Sequence, residues 1–173
     1  MQLDLEFIRQ QFPAFDVPAL EGQSFFENAG GSYTCAQVQD RLFRFYRERK
    51  VQPYAPYEAS RLGGVEMDEA RTRLAAMLGV ETDELSFGPS TTQNTYVLSQ
   101  AVAQWLKPGQ SIIVTNQDHE ANSGPWRRLA ESGITVKEWC INPETGLLDL
   151  QDLKLLLGDD VRMVCFPHCS NVV

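Results

Sequence analysis

The second half of the chain alternates short apolar runs with helical patterns, and this alternation constrains the fold more than any other feature. Ile112-Ile113-Val114 and Met163-Val164-Cys165-Phe166 are the centres of the predicted strands Ser111–Thr115 and Val161–Phe166, and a third strand is predicted at Thr135–Trp139. A strand buried on both faces shows no polar alternation. The pattern therefore predicts an α/β fold with a mostly parallel sheet flanked by helices.

Helical spacing and turn residues predict the remaining elements. Ser24–Glu27 is predicted as a short strand or extended segment, Asn28–Gly31 as a turn and Leu85–Gly88 as a short strand. In chain order, the predicted helices cover Asp4–Phe12, a segment capped by Thr34, a segment that ends near Gly79, Thr91–Leu106, Ala121–Glu131 and Leu150–Leu157. The helix Thr91–Leu106 is expected to bury Leu98, Ala101, Val102 and Trp105.

The organisation along the chain gives two further expectations. Residues 1–20 are expected to form an N-terminal helical segment and residues 21–173 the α/β domain, because no internal repeat or linker interrupts them. The chain ends soon after a core-type strand, where a parallel sheet normally continues through a crossover helix. We therefore expect a domain truncated after Val161–Phe166, with an open sheet edge that favours association.

Charge and hydropathy exclude several classes of protein. The formal net charge of −8 argues against a nucleic-acid binder, which needs an excess of Lys and Arg. The sequence has no apolar run of about 18 residues, so we expect no membrane span. Met1–Gln11 mixes charged residues among its apolar ones and lacks the pattern of a signal peptide, so the expected compartment is the cytoplasm.

The cysteines allow two interpretations. Cys165 and Cys169 flank His168, which superficially resembles a metal site. None of the four cysteines shows CxxC spacing or the pattern of a secreted disulfide framework. We therefore favour free thiols in a reducing compartment and expect no metal.

Polar residues follow three of the predicted strands. The three sets are Gly88–Thr92, Asn116–His119 and His168–Asn171. Ligands of open α/β sheets bind outside the carboxyl ends of the strands. The sequence therefore predicts one ligand site formed by these three sets.

Two of these sets contain candidate functional side chains. Ser90, Thr91 and Thr92 precede a helix, where hydroxyls and unpaired amides can hold a phosphate, although a simple N-cap explains them equally well. His119 can be a general acid or base, a metal ligand or a platform for a flat ring, and a lone histidine is more often only a hydrogen-bonded residue. No second histidine or cysteine stands at ligand spacing from it, which disfavours the metal.

Four segments, in this order along the chain, resemble motifs of one enzyme family. Phe26–Gly31 resembles an "LDNAG" segment and Phe87–Asn94 a phosphate-binding "GTTE-x-N" turn and helix. Asp118–Trp126 resembles the "EHHAN-x-x-PW" signature of the desulfurase branch, and His168–Val172 resembles an "HVSNV" motif. The chain is thus similar to the N-terminal half of the pyridoxal-phosphate (PLP) dependent class V aminotransferase and cysteine desulfurase family.

The resemblance implies a fold, a cofactor and partners. The fold is the large domain of fold-type I PLP-dependent transferases, of which residues 21–173 would be the N-terminal part. The cofactor is pyridoxal 5′-phosphate, which needs an anion site, a flat stacking partner and polar groups around its ring. The resemblance also implies an amino-acid substrate and a homodimeric full-length protein.

The resemblance further implies roles for individual residues. Thr91 and Thr92, with the backbone after Ser90, would hold the cofactor phosphate. His119 would stack on the pyridine ring and is a candidate for proton transfer, and Asn171 would bond near the ring hydroxyl or the substrate carboxylate. The residues implied near the substrate are Asn28, Ala29, Gly30 and Asn122.

Two departures limit the functional prediction. Glu120 stands where the family has a second histidine. No segment matches the family's Schiff-base lysine or the aspartate that pairs with the pyridine nitrogen, and the lysines present are Lys50, Lys107, Lys137 and Lys154. We therefore expect a desulfurase-like lyase or transferase as the parent enzyme, and a fragment that is inactive alone. The alternatives are a non-catalytic phosphate- or nucleotide-binding α/β domain and an inactive truncated product.

Overall fold

The computed structural model describes residues 3–171. These residues divide between two compact units, Met1–Ser86 and Phe87–Val173, and each unit is described by itself. The first unit is helical, whereas the second contains the sheet.

The first unit contains the helices α1 (Leu5–Gln10), α2 (Ala36–Glu48) and α3 (Glu58–Leu78). Asp4 begins α1 because its carboxylate accepts a hydrogen bond from the Phe7 amide at 3.0 Å. Gly79 ends α3 in the left-handed conformation, with φ of 69°, which glycine adopts without steric strain. The predicted end of this helix near Gly79 is therefore confirmed.

Two predictions for the chain up to residue 88 are wrong in detail. Cys35, not Thr34, precedes the first turn of α2, and its side chain makes no capping hydrogen bond. Within the described residues, Leu85–Gly88 is not a strand, and Ser24–Glu27 pairs with no strand, which agrees with the second of its two predicted alternatives. Apolar composition favours an extended backbone, but a strand also requires a neighbour to complete its hydrogen bonds.

The second unit follows the alternation predicted from the sequence. In chain order its elements are α4 (Thr91–Ala103), β1 (Ser111–Thr115), α5 (Glu120–Arg127), β2 (Thr135–Trp139), α6 (Leu150–Leu156) and β3 (Val161–Val164). A short 3-10 helix, Arg128–Ser132, extends α5 and ends at Gly133. Within the described residues the strands form one parallel sheet in the order β2-β1-β3. The predicted parallel sheet flanked by helices is confirmed, although β3 is shorter than Val161–Phe166.

The core of the second unit lies against one face of this sheet. All five residues of β1 are buried, as expected for a central strand. Ile112 and Val114 point to the same face and pack with Trp126, Leu129 and Ile134. This packing fixes α5 and its 3-10 extension against β1, and so fixes the loop that connects them.

The burial predicted for α4 is wrong for three of its four residues. Leu98, Ala101 and Trp105 are exposed, Trp105 by 77% of its surface. Val102 is partly buried and packs against the sheet core, as predicted. Apolar spacing identifies a helix face that is able to be buried, but it does not specify the surface that covers it. The helix also ends at Ala103 rather than at Leu106.

Candidate functional site

The strand order predicts a ligand-binding crevice between β1 and β3. The chain leaves β1 for β2 on one side and later returns to β3 on the other side, so the direction of winding reverses at β1. In open α/β sheets, ligands bind at this reversal, outside the carboxyl ends of the strands. Here the Ser170 hydroxyl, after β3, donates a hydrogen bond to the Gln117 carbonyl, after β1, at 2.8 Å. Two of the three polar sets are therefore adjacent.

The amino-terminal end of α4 forms one wall of the candidate site. Ser90 caps the helix, and its hydroxyl oxygen accepts from the Gln93 amide at 3.2 Å. Thr91 and Thr92 are the first two helical residues and are exposed. The first amides of a helix have no partner within it and carry the positive end of its dipole. This end of α4 is therefore suited to an anion.

His119 forms the opposite wall and caps α5. Its Nδ1 accepts a hydrogen bond from the Ala121 amide at 3.0 Å. A nitrogen that accepts carries no proton, so in the neutral ring the proton is on Nε2. The bond also fixes the orientation of the imidazole, because Ala121 belongs to the first turn of a packed helix.

A cavity of about 740 Å³ joins the two walls. Ser90, Thr92 and His119 all line it, so the structure brings these three predicted residues together. Thr91, Asn122 and Asn171 are not among its lining residues. The further polar and charged residues around it are Gln93, Tyr96, Glu120 and Arg128.

Arg128 lines the cavity and differs from its neighbour Arg127 in its ion pairs. Arg127 pairs with Glu138 and donates to the Thr115 carbonyl at 3.1 Å, so its charge is compensated. Arg128 has no ion-pair partner among residues 3–171 and lines the cavity together with Glu120. The cavity therefore offers one cation and one anion beside the polar end of α4.

Asn122 makes two side-chain hydrogen bonds within the protein. Its Oδ1 accepts from the Thr95 hydroxyl at 3.3 Å, and its Nδ2 donates to an Asp118 carboxylate oxygen at 2.5 Å. Both ends of the amide are thus engaged. The contact of Asn122 with a substrate stays a prediction.

The turn implied to lie near the substrate belongs to the first unit. Asn28, Ala29 and Gly30 are exposed in the predicted turn. The Gly30 amide donates to the Glu27 carboxylate at 3.1 Å, and the Ser32 hydroxyl donates to Asn28 at 2.9 Å. Their proposed role near a substrate stays a prediction.

The cysteines beside the site are poor nucleophiles or lie outside the cavity. Burial, with the nearby Asp118 carboxylate, raises the pKa of Cys165 to about 12, so its thiol stays protonated. Cys169 and His168 are exposed. Within the described part of the chain, residues 3–171, no group of three His, Cys, Asp or Glu residues is arranged to hold a metal ion.

Sequence reasoning missed the residues that complete the cavity. Tyr96 follows Thr92 by four positions and therefore lies on the same face of α4. Glu120, Gly124 and Arg128 are spaced in the same way along α5 and its extension. This spacing is visible in the sequence, but its significance depends on knowing that these two helix faces meet.

A comparison with protein families identifies the family of the chain. The model of the aminotransferase class-V family matches residues 24–173. The chain belongs to the aminotransferase class-V family. An aminotransferase-like protein of Gibberella zeae is 35% identical to this class-V chain over 98% of the chain and 42% of its own length. A cysteine desulfurase of Serratia proteamaculans is 28% identical over 100% of the chain and 44% of its own length.

Solved structures show the same fold as this class-V chain. The apo cysteine desulfurase of Thermococcus onnurineus superposes with a TM-score of 0.86 at 22% identity, over 99% of the chain and 41% of that protein. A C-DES mutant described with glycine covalently linked to its PLP cofactor gives a TM-score of 0.70 at 18% identity, covering 94% of the chain and 41% of that protein. The family and the fold-type predictions are thereby confirmed. The class-V chain spans less than half the length of these relatives.

Among residues 3–171, no helix of the class-V chain combines the length and the apolar character needed to cross a bilayer.

Proposed function

We propose that this chain supplies the phosphate-binding and ring-stacking walls of a PLP site in a class-V enzyme that acts on an amino acid. One observation carries the proposal: Ser90 and Thr92, at the start of α4, and His119, at the start of α5, line a single cavity. When bound, PLP supplies an electron sink for negative charge that develops on a substrate's α-carbon.

The cavity fits such a cofactor in size and in polarity. Its volume of about 740 Å³ lies within the range of small-molecule sites, roughly 300–1,000 Å³. Ser90 already accepts a hydrogen bond from Gln93, so its hydroxyl hydrogen is free to donate to an anion together with the amides of Thr91 and Thr92. An anion at one wall and a flat aromatic ring against His119 at the other are therefore compatible with the same molecule.

The side chains around the cavity have defined tasks in this proposal. His119 presents a ring of fixed orientation, because Ala121 holds Nδ1, and its Nε2 can donate or exchange a proton. Thr92 orients the phosphate. Asn171 would approach the cofactor or the substrate from the segment that follows β3, which hydrogen-bonds to the loop after β1 through Ser170.

We propose that the parent enzyme is a cysteine desulfurase-like lyase or transferase and that this chain alone is inactive. The segment 118–126 supports the desulfurase branch, and Glu120 in place of a histidine is its departure from that pattern. Lys137 supports inactivity, since its ammonium already contacts the Leu156 carbonyl at 3.1 Å and Asp160 at 3.0 Å. Lys50, Lys107 and Lys154 are exposed and do not line the cavity. The homodimer implied by the family belongs to the same proposal for the whole protein.

Calorimetric titration with pyridoxamine 5′-phosphate tests the proposal. This probe has the ring and the phosphate of PLP but no aldehyde that surface lysines would trap. His119→Ala should weaken its binding about three- to tenfold, the loss expected for one aromatic stacking contact, and leave the binding of inorganic phosphate unchanged. Thr92→Val should weaken both. His168→Ala is the matched control, because His168 is exposed and does not line the cavity.

Two results would contradict the proposal. If His119→Ala and His168→Ala bind the probe equally well, the ring does not lie on His119. If inorganic phosphate binds as tightly as pyridoxamine 5′-phosphate, the chain is a phosphate-binding module, which is the second candidate function supported by the polar end of α4. Borohydride reduction of the PLP-treated chain tests inactivity, and stoichiometric labelling of one lysine would contradict it.

A further inference from the structure

The two walls of the cavity come from different elements, and a partly buried hydrogen bond connects them. Thr95 lies one turn inside α4, is only 7% exposed, and donates through its hydroxyl to Asn122 of α5 at 3.3 Å. A threonine within a helix commonly bonds a carbonyl of its own preceding turn. Ser99 of the same helix does so, to the Tyr96 carbonyl at 2.8 Å. Thr95 instead bonds across to the neighbouring helix.

This connection continues to both sides of His119. Asn122 donates from its Nδ2 to Asp118, the residue that precedes His119, at 2.5 Å. The backbone amides of Asn122 and Ser123 donate to the His119 carbonyl at 2.9 and 3.0 Å. The side chain that Thr95 holds is therefore bonded to the residue before His119, and the His119 carbonyl is held by the first turn of α5.

We propose that Thr95 is a positioning residue that sets the orientation of His119 relative to the phosphate-binding end of α4. The inference rests on the proposed function, because it gives Thr95 a task in the same site. Thr95 does not line the cavity, so it acts through Asn122 and Asp118. Loss of its hydroxyl leaves the partly buried Asn122 oxygen without its donor, and the Asn122 side chain is then free to leave Asp118.

The test uses the full 173-residue chain and three variants of it. Thr95→Val keeps the shape and removes the hydroxyl, and Thr95→Ser restores the hydroxyl. Ser99→Ala is the matched control, since Ser99 is a buried hydroxyl of the same helix that bonds only locally. Amide hydrogen exchange of Ala121 is the readout, because this amide donates to His119 Nδ1 and so reports the orientation of the ring.

We expect Thr95→Val to accelerate exchange at Ala121 about tenfold, as for the loss of one net hydrogen bond, and to shift the His119 Nδ1 resonance. Thr95→Ser should return both to within about twofold of the wild-type chain, and Ser99→Ala should leave both unchanged. Binding of pyridoxamine 5′-phosphate should weaken about three- to tenfold in Thr95→Val, with inorganic phosphate unaffected.

Amide exchange at Ala121 tests this inference, and binding of the probe by the wild-type chain tests the proposed function. The two can therefore fail independently. Unchanged exchange at Ala121 in Thr95→Val, or an equal effect of Ser99→Ala, overturns the inference whether or not the probe binds. Failure of the wild-type chain to bind the probe overturns the proposed function, while the exchange arm still decides the coupling. If Thr95→Val does not fold, Thr95→Ala replaces it: it also removes the hydroxyl that donates to Asn122, and faster exchange at Ala121 is again required.

Discussion

The backbone at Gly88 lies so close to Asn94 that a side chain at position 88 would collide with it. A Cβ built on Gly88 would come 1.6 Å from Asn94 Oδ1 and 2.6 Å from its Cγ, whereas ordinary contact begins at 3.4 Å. The amide of Asn94 would have to move by roughly 2 Å, which requires a different rotamer within the first turns of α4. Gly88→Ala therefore perturbs the helix end that is proposed to bind phosphate.

The expected loss of stability follows from this overlap. Moving an exposed side chain into a less favourable rotamer costs about 1 kcal/mol, which lowers Tm by about 2–4 °C in a chain of this size. Asn94 is exposed, so Asn94→Ala should change stability by less than about 0.5 kcal/mol. In the double variant the obstructing side chain is absent. Most of the loss should then disappear, with a coupling energy of about 1 kcal/mol.

Urea unfolding of the four chains, followed by circular dichroism, measures this cycle. Gly31→Ala is the control for the substitution itself, because a Cβ at Gly31 meets nothing within 4 Å. It should be neutral or slightly stabilising, through reduced freedom of the unfolded chain. If the effects of Gly88→Ala and Asn94→Ala add to within about 0.5 kcal/mol, contact with Asn94 is not the reason for glycine at this position.

Three further predictions concern the sheet and its cysteines. Ile112→Val should destabilise the chain by about 1 kcal/mol and Ile112→Ala by about 2–5 kcal/mol in urea unfolding, because Ile112 is fully buried in the core. The Ser111 hydroxyl, which donates to its carboxylate, lowers the pKa of Asp160. The carboxylate therefore stabilises the folded chain above its unfolded pKa, and this stabilisation is lost as pH falls through the folded pKa. The difference in urea midpoint between wild type and Asp160→Asn should shrink as the pH falls from about 6 toward about 3. Burial raises the pKa of Cys165 to about 12, so at about pH 8 mass spectrometry should find it far less alkylated by iodoacetamide than the exposed Cys169.

The sheet could be predicted from the sequence because its signal is local to each strand. Ser111–Thr115 and Thr135–Trp139 have the predicted bounds. In the first of them, continuous burial leaves an apolar run that can be recognised without knowledge of its partner strand. Leu85–Gly88 has a similar apolar character but no pairing partner among the described residues. Trp105 is apolar at a helical spacing and yet 77% exposed. Both errors arise where the outcome depends on a second surface that a local pattern does not specify.

The candidate site was only partly predictable for a related reason. The polar types of Ser90, Thr92 and His119 are visible at predicted strand ends, and the resemblance assigned them to one cofactor. The task of Asn122 was less visible, because an asparagine after a histidine can face a ligand or its own protein equally well. Its amide binds Thr95 and Asp118, and those bonds depend on how α4 and α5 pack.

Strand order determines which of the separate polar segments are adjacent. β3 pairs with β1 rather than with β2, so the segment after β3 begins beside the loop after β1. Had β3 joined the sheet beyond β2, a whole strand would separate the two loops, about 10 Å at the usual spacing. The bond of 2.8 Å from Ser170 to Gln117 could then not form. The apolar runs of the sequence would be identical in both strand orders. The adjacency of the loop that carries His119 and the segment that carries Asn171 therefore depends on the pairing of β3 with β1, which only the three-dimensional structure specifies.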